Sequence, residues 1–135
     1  YSPEGPFIWV SPLYMPLSWG GMLISFGVLG DFLVKKTQSK IKGSLLAALA
    51  MGVYVPFYEY LAQHANWWFY LNAKGVGGVP YFIFIGEFLI GIPLALIIAK
   101  VKVVSFKEVT VWGVIVGLWI YISYWIAYKI QILIL

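Results

Sequence analysis

The sequence predicts an all-α protein, a single antiparallel bundle of four transmembrane helices. The chain is 62% hydrophobic and 19% aromatic, and only 10% of its residues are charged, compared with about 25% in ordinary soluble domains. Four apolar segments each approach the roughly 20 residues that an α-helix needs to cross the hydrocarbon core. We therefore expect an integral membrane protein whose first partner is the lipid bilayer, and we expect no nucleic-acid partner.

The four segments account for almost the whole chain, so we expect one domain over residues 1–135. The first segment is too long for a signal peptide and lacks a basic leader, so it should remain in the mature protein. The chain opens on Tyr1 without Met and closes on the apolar run 130–135. Processing, trimming and a longer parent chain all remain open. The predicted spans are residues 13–34, 43–62, 79–99 and 109–133.

The connections predict the orientation. All nine basic residues are lysines; four of them lie in the connection 35–42 and three in the connection 100–107. The second connection has only Lys74. By the positive-inside rule, both lysine-rich loops should be cytoplasmic. Both termini would then lie outside.

Aromatic residues cluster at the predicted outer surface. The run 67–70 follows the second segment, and Trp9 and Tyr14 flank the start of the first. Such residues usually anchor helices at the membrane interface. The glycine-rich run 75–80 lacks a phosphate-loop signature, and we interpret it as the turn that begins the third helix.

Prolines and small residues predict how the helices are shaped and packed. Pro56 should free the carbonyl of Gly52, and Pro93 that of Leu89, because proline has no N–H to donate. Small residues allow membrane helices to approach closely. Those expected to do so are Gly20, Gly27, Ala47, Ala48, Ala50 and the GxxxG pair Gly113 and Gly117.

Two acids lie well inside predicted spans. A carboxyl group within a membrane is costly and is a functional-site hypothesis by default. The helical rise places Glu59 about 24 Å from the inner end of its helix and Glu87 about 10 Å from the outer end of the next. We therefore expect the two at similar depth in the outer half, on neighbouring helices. Whether they face each other is left open, because one sequence does not fix helix rotation.

Other polar groups are expected in the same layer, which would form an outer-half polar pocket. Catalytic candidates are Glu59, Glu87 and His64. Residues expected to bind a ligand are Tyr58, Gln63, Tyr81, Phe84 and Lys129. In the alternative interpretation, Lys129 reaches the interface, His64 is exposed, and each acid is satisfied by a local donor. Asp31 should pair with Lys35 four residues later, and Glu108 should favour a helix start.

The composition restricts the chemistry. The absence of cysteine excludes disulfides, thiolate metal sites and cysteine nucleophiles. A single histidine excludes a multi-histidine metal site within this chain, and no cofactor is indicated. A carboxylic acid in a low-dielectric medium can stay protonated near neutrality. Such an acid could protonate an alkene or a leaving group, while aromatic faces stabilise the developing cation.

Residues 50–93 resemble the integral-membrane carotenoid-modifying proteins of the lycopene-cyclase and carotenoid-hydratase type. The residues that carry the resemblance are Glu59, the aromatic run 67–70, the sequence 78–80 that opens the next span, and Glu87. The resemblance implies a small helical bundle that modifies a polyene, with Glu59 and Glu87 as the acids. The cyclase pattern has paired glutamates soon after a proline, whereas here a single glutamate follows Pro80 by seven residues. Those families also usually have more than four spans.

Two alternatives to an enzyme remain. The chain could be a non-catalytic transmembrane subunit that packs against other membrane subunits and holds lipid or pigment. It could also provide a proton or cation path through Glu59 and Glu87, since such relays use buried carboxyl groups.

Overall fold

The computed structural model describes residues 6–8, 11–71, 73–100 and 105–134 of the chain. Four helices account for most of these residues, and their ends agree with the predicted segments to within three residues. The predicted anchor Trp9 and the loop residue Lys102 lie outside the described residues. The helices are α1 (Tyr14–Thr37), α2 (Lys40–His64), α3 (Tyr81–Lys100) and α4 (Phe106–Ile134).

Two short antiparallel hairpins precede helices. In the first, β1 (Phe7–Ile8) pairs with β2 (Ser11–Pro12) before α1, and in the second, β3 (Gly75–Val76) pairs with β4 (Val79–Pro80) before α3. The second turn is Gly77-Gly78, with φ of 59° and 82°, a left-handed conformation that glycine adopts without strain. The prediction of a turn that begins the third helix is thus confirmed.

Close approaches between helices fix their relative direction. A Cβ added to Gly43 of α2 would lie 2.5 Å from the Cα of Val34 in α1, and one added to Gly91 of α3 would lie 2.6 Å from the Cα of Ala48 in α2. A second contact in each pair joins residue 30 to 47 and residue 52 to 88. The numbering thus rises along one helix as it falls along the next, so these helices run antiparallel. The helix α3 is central, because it contacts all three others, whereas α4 packs mainly on α3.

Side chains of α4 bind two backbone groups of α3. The backbone N–H of Phe82 donates to Oε1 of Gln131 at 2.8 Å, which satisfies a donor that the first turn of α3 leaves without a helical partner. The indole Nε1–H of Trp119 donates to the carbonyl of Leu89 at 3.0 Å. That carbonyl is the one that Pro93 was predicted to free. A side chain from the neighbouring helix has taken the place of the missing backbone N–H.

The core lies between α1, α2 and α3. It is built around Phe26, Met51, Val55, Ile90 and Leu94. Ala47 and Ala48 are buried at this contact, as expected for small residues between close helices. The GxxxG pair differs, because a Cβ at Gly113 or at Gly117 would meet no atom within 4 Å. The pair therefore does not pack against the described part of the molecule.

The helix ends confirm two smaller expectations. Asp31 and Lys35 form the predicted ion pair, at 2.5 Å. At the start of α4, Ser105 and Glu108 cap each other: the Ser105 N–H donates to Oε2 of Glu108 at 3.0 Å, and the Glu108 N–H donates to Oγ of Ser105 at 3.2 Å. This reciprocal capping satisfies two N–H groups that would otherwise lack partners.

Among the described residues, three helices are long and apolar enough to cross a membrane, namely α1, α2 and α4. The corresponding apolar stretch of α3, Tyr81–Ile97, is shorter. In the most apolar 18-residue stretch of α4, only 6% of the residues are buried within the molecule. The outward surface of α4 is thus an apolar face that no described part of the chain covers.

Candidate functional site

Glu59 is held by two donors from the segment that follows its own helix. After α2, Asn66 adopts a left-handed conformation with φ of 57°, and the chain turns back along the helix. Trp68 Nε1–H donates to Oε2 of Glu59 at 2.5 Å, and the Tyr70 hydroxyl donates to the same oxygen at 2.8 Å. Both donors bind the same oxygen, which has two lone pairs to accept them.

The other side of Glu59 borders a small apolar cavity between α1 and α2. Its volume is about 40 Å³, which is room for only a few water molecules. Glu59 is the only ionisable side chain, apart from the Tyr58 hydroxyl, among the residues that line it. The lining residues are Met15, Ser18, Trp19, Met22, Val55, Tyr58, Glu59 and Trp68.

A longer groove adjoins this cavity. Ser18 and Met22 line both spaces, and the groove continues along α1 as far as Leu29, with Tyr54 of α2 on its other side. Its volume is about 370 Å³. Gly21 lies on the groove, and a Cβ there would meet no atom within 4 Å. The α1–α2 groove, defined by these two adjoining spaces, is therefore an elongated apolar depression that ends at the Glu59 carboxylate.

Glu87 has a different environment. Its side chain is fully buried, and the Tyr124 hydroxyl of α4 donates to its Oε1. Its Oε2 has no hydrogen-bond partner among the described residues. The Tyr124 ring lies directly over Gly86, where an added Cβ would come within 2.8 Å of the ring. Glycine at this position thus permits the contact between α4 and Glu87.

The two carboxyl groups differ in depth and in surroundings, and Glu87 does not line the cavity at Glu59. The helix register pairs Gly52 with Phe88, which places Glu59 about two turns, or about 10 Å, nearer the hairpin end of the bundle than Glu87. The prediction of similar depth is therefore wrong by about this offset. Glu59 faces the α1–α2 side, whereas Glu87 contacts α4.

The remaining catalytic candidate, His64, lies at the exposed end of α2. Its Nδ1 is 2.8 Å from the carbonyl of Tyr60, and its ring lies 4.1 Å from the Tyr60 ring. Gln63 donates to the backbone carbonyl of Glu59 at 3.4 Å and does not contact the carboxylate in this way. These contacts bind both side chains to the last turn of their own helix.

The ligand-binding candidates are dispersed. Tyr58 lines the cavity beside Glu59. Phe84 lies between helices, with its carbonyl close to Gly52. Tyr81 is half-buried at the start of α3, and Lys129 is exposed on α4. The structure thus brings only Tyr58 to the Glu59 cavity.

The donors to the acids were not predicted as site residues. Trp68 and Tyr70 belong to the run that was interpreted as a simple interfacial anchor, but Trp68 is buried and both bind Glu59. A usable signal was their chemistry, since each ring carries an N–H or O–H that needs a partner when buried. For Tyr124, no local sequence signal identifies Glu87, which is 37 positions away.

The described residues contain no group of three or more histidine, cysteine, aspartate or glutamate side chains that could hold a metal ion. The fold and the site together define the class: an all-helical, strongly apolar bundle with two carboxyl groups in its interior. The chain belongs to a family defined by a domain of unknown function, DUF6989, whose model matches residues 1–131. No curated protein and no solved structure matches the chain significantly.

Proposed function

We propose that this protein is an integral membrane protein in which all four helices cross the bilayer. The loops 35–42 and 100–107 would be cytoplasmic and both termini outside, as the positive-inside rule suggests. The exposed apolar surface supports this proposal, because soluble monomers rarely expose contiguous apolar patches of this kind. The hairpin of β3 and β4, the Glu59 carboxylate and the end of α4 would then lie towards the outer surface.

We further propose that the α1–α2 groove binds an elongated lipid-soluble molecule, of isoprenoid or pigment type. The observation that carries this proposal is that the apolar groove and the cavity at Glu59 adjoin each other, with Ser18 and Met22 lining both. An apolar chain would lie along α1, and its polar or unsaturated end would reach the carboxylate. Ligand sites of this kind are mostly apolar, with a few polar groups that fix orientation.

If the bound molecule is modified, Glu59 is the acid in position to act. In its protonated form, Glu59 would transfer its proton to an alkene carbon, and the carboxylate left behind and the aromatic faces would stabilise the cation. Return of a proton from a neighbouring carbon to Glu59 would complete the step, so that the net change is an isomerisation or a ring closure. Tyr58 and Trp68 supply such faces at the cavity. Glu87 lines neither the cavity nor the groove, so its role in this proposal is to hold α4 through Tyr124.

The test is to purify the protein in mild detergent and identify lipid-soluble molecules that remain bound by mass spectrometry. Gly21→Leu should fill the groove and abolish retention. Gly20→Leu is the matched control, since a Cβ at Gly20 also meets no atom within 4 Å and Gly20 does not line the groove. Equal retention by both variants would contradict the groove as the binding site.

Glu59→Gln separates binding from chemistry. Glutamine keeps an acceptor oxygen for Trp68 and Tyr70 but cannot carry the charge or act as an acid. If Glu59 catalyses a reaction, the wild-type protein should retain the product, whereas the variant should retain the unmodified substrate. If both proteins retain the same molecules, Glu59 does not catalyse a reaction and the protein only binds the ligand.

The second candidate function is that of a non-catalytic subunit in a larger membrane complex. The exposed apolar surface of α4 favours this function. This helix contacts mainly α3, and its outward side chains are exposed, including Leu118, Tyr121 and Trp125. If a protein covers this face, Leu118→Lys should release a co-purifying partner while the bundle stays folded. If lipid covers it, no protein should be lost in the variant.

A further inference from the structure

A second pocket lies at the opening of the bundle where α3 begins and α4 ends. Its volume is about 530 Å³, within the range of about 300–1,000 Å³ that is common for ligand sites. It shares no lining residue with the cavity at Glu59. We name it the α3–α4 end pocket. The residues that matter for its chemistry are Tyr70, Lys74, Phe82, Tyr128, Gln131 and Ile132.

Several of its polar side chains can donate hydrogen bonds. Oε1 of Gln131 is already the acceptor for the Phe82 N–H, so the amide side chain has its two N–H donors left for a ligand. Lys74 has a positive charge and three ammonium donors. It can therefore donate to a ligand and to another group at the same time. The Tyr128 hydroxyl can also donate. A ligand that fits this set must supply acceptors.

The formal charge among the lining residues also favours an anion. The partial positive charge at the start of α3 and the partial negative charge at the end of α4 lie at the same end of the bundle and oppose each other. Glu59 does not line the pocket, but Tyr70 does, and the Tyr70 hydroxyl donates to Oε2 of Glu59. Lys74 thus supplies the formal positive charge among the lining residues.

The apolar part of the pocket points to an amphipathic ligand. Leu71 and Ile132 line it, and both are largely exposed. They would continue the apolar outer face of α4 directly from the polar part of the pocket. An acyl chain could leave the pocket along this face, whereas a free inorganic anion would make no use of it.

We propose that the α3–α4 end pocket binds the phosphate group of an anionic lipid, with Lys74, Gln131 and Tyr128 as donors. The acyl chains lie against Ile132 and the outer side of α4. This proposal relies on the membrane placement proposed above, but not on a ligand in the α1–α2 groove or on catalysis by Glu59.

The test uses purified protein equilibrated with phosphatidylcholine vesicles, with or without added phosphatidylglycerol, and counts retained lipid by native mass spectrometry. Lys74→Gln should lower retention of phosphatidylglycerol about tenfold, the effect expected for one charge-assisted hydrogen bond. Lys129→Gln is the matched control, because Lys129 is an exposed lysine of α4 that does not line the pocket. Equal losses in the two variants, or no loss, would overturn the proposal.

Two further measurements complete the test. Tyr128→Phe keeps the ring and removes one donor, so it should lower retention several-fold even if Lys74→Gln folds poorly. Inorganic phosphate added to protein in phosphatidylcholine should raise the unfolding temperature much less than phosphatidylglycerol does. Equal stabilisation by phosphate alone would refute a lipid ligand.

The groove variant separates this proposal from the proposed function. Gly21→Leu should leave phosphatidylglycerol retention unchanged. Loss of phosphatidylglycerol in that variant would show that the lipid binds the groove and not the end pocket.

Discussion

The two carboxyl groups differ most in the number of donors that each receives. Oε2 of Glu59 accepts from both Trp68 and Tyr70, and the group borders a cavity. Glu87 receives one donor, Tyr124, and its second oxygen has no partner in the part of the chain that the structure describes. A buried polar atom without a partner costs free energy. Among the described residues, the hydrogen bonding of the Glu87 side chain therefore depends on the Tyr124 hydroxyl.

We predict that Tyr124→Phe lowers the free energy of unfolding by about 1–3 kcal/mol, because it leaves the buried Glu87 carboxyl group without its donor. Combining it with Glu87→Leu should recover part of this loss, since replacing both partners by apolar groups can be nearly neutral. Unfolding in detergent gives the free energies. Tyr121→Phe is the control, as Tyr121 is 71% exposed. Strictly additive losses in the double variant would show that the two side chains are not coupled.

Sequence could identify the acids but not their partners. A glutamate within an apolar run stands out because its presence in hydrocarbon is costly. Tryptophan and tyrosine do not stand out in the same way, because both are common at membrane interfaces. Whether Trp68 is an anchor or a donor depends on how the chain turns after α2, and the left-handed Asn66 gives no strong signal in advance.

Among the elements, α4 is the helix that relies most on specific polar contacts. It buries little apolar surface against the others, and apolar contact drives association only weakly where lipid surrounds the helices. Three of its side chains instead serve polar groups of α3: Gln131 at the first turn, Tyr124 at Glu87 and Trp119 at Leu89. Together these contacts set the register of α4 on α3.

We predict that Trp119→Phe destabilises the bundle by about 0.5–1.5 kcal/mol, the usual contribution of one hydrogen bond. In a Pro93→Ala background the loss should be smaller, because residue 93 regains an N–H that can donate to the carbonyl of Leu89. A double-variant cycle, measured by unfolding in detergent, gives the coupling energy. Trp125→Phe, at an exposed position of the same helix, is the control. If Trp119→Phe lowers the free energy of unfolding equally with and without Pro93→Ala, the N–H of residue 93 does not replace the Trp119 donor.

The number and approximate length of the helices could be predicted, because each helix corresponds to one long apolar run in the sequence. The freed carbonyl of Leu89 could be predicted too, since it follows from the position of Pro93. Helix rotation could not, because it depends on which side chains interlock. The GxxxG pair of α4 is an example: the motif is compatible with close packing, yet Gly113 and Gly117 face away from the described helices.

Over the whole molecule, polar groups separate towards the two ends of the bundle. Lys35, Lys36, Lys40 and Lys42 surround the short connection between α1 and α2, next to the paired Asp31. The opposite end carries the second hairpin, the Glu59 cavity and the α3–α4 end pocket. In the proposed orientation, the lysine-rich end faces the cytoplasm, and both ligand sites open near the outer surface.

This orientation can be measured directly, because the chain has no cysteine and a single introduced cysteine is a unique label site. We predict that a membrane-impermeant maleimide, added to intact cells, labels Val76→Cys but not Lys36→Cys or Lys107→Cys. Val76 is 58% exposed in the hairpin before α3, and both lysines are exposed at the other end. All three should react once the membrane is permeabilised, which controls for thiol accessibility. If intact cells are labelled at positions 36 and 107 but not at 76, the helices span the membrane in the opposite orientation. Labelling of all three positions in intact cells would refute the membrane placement.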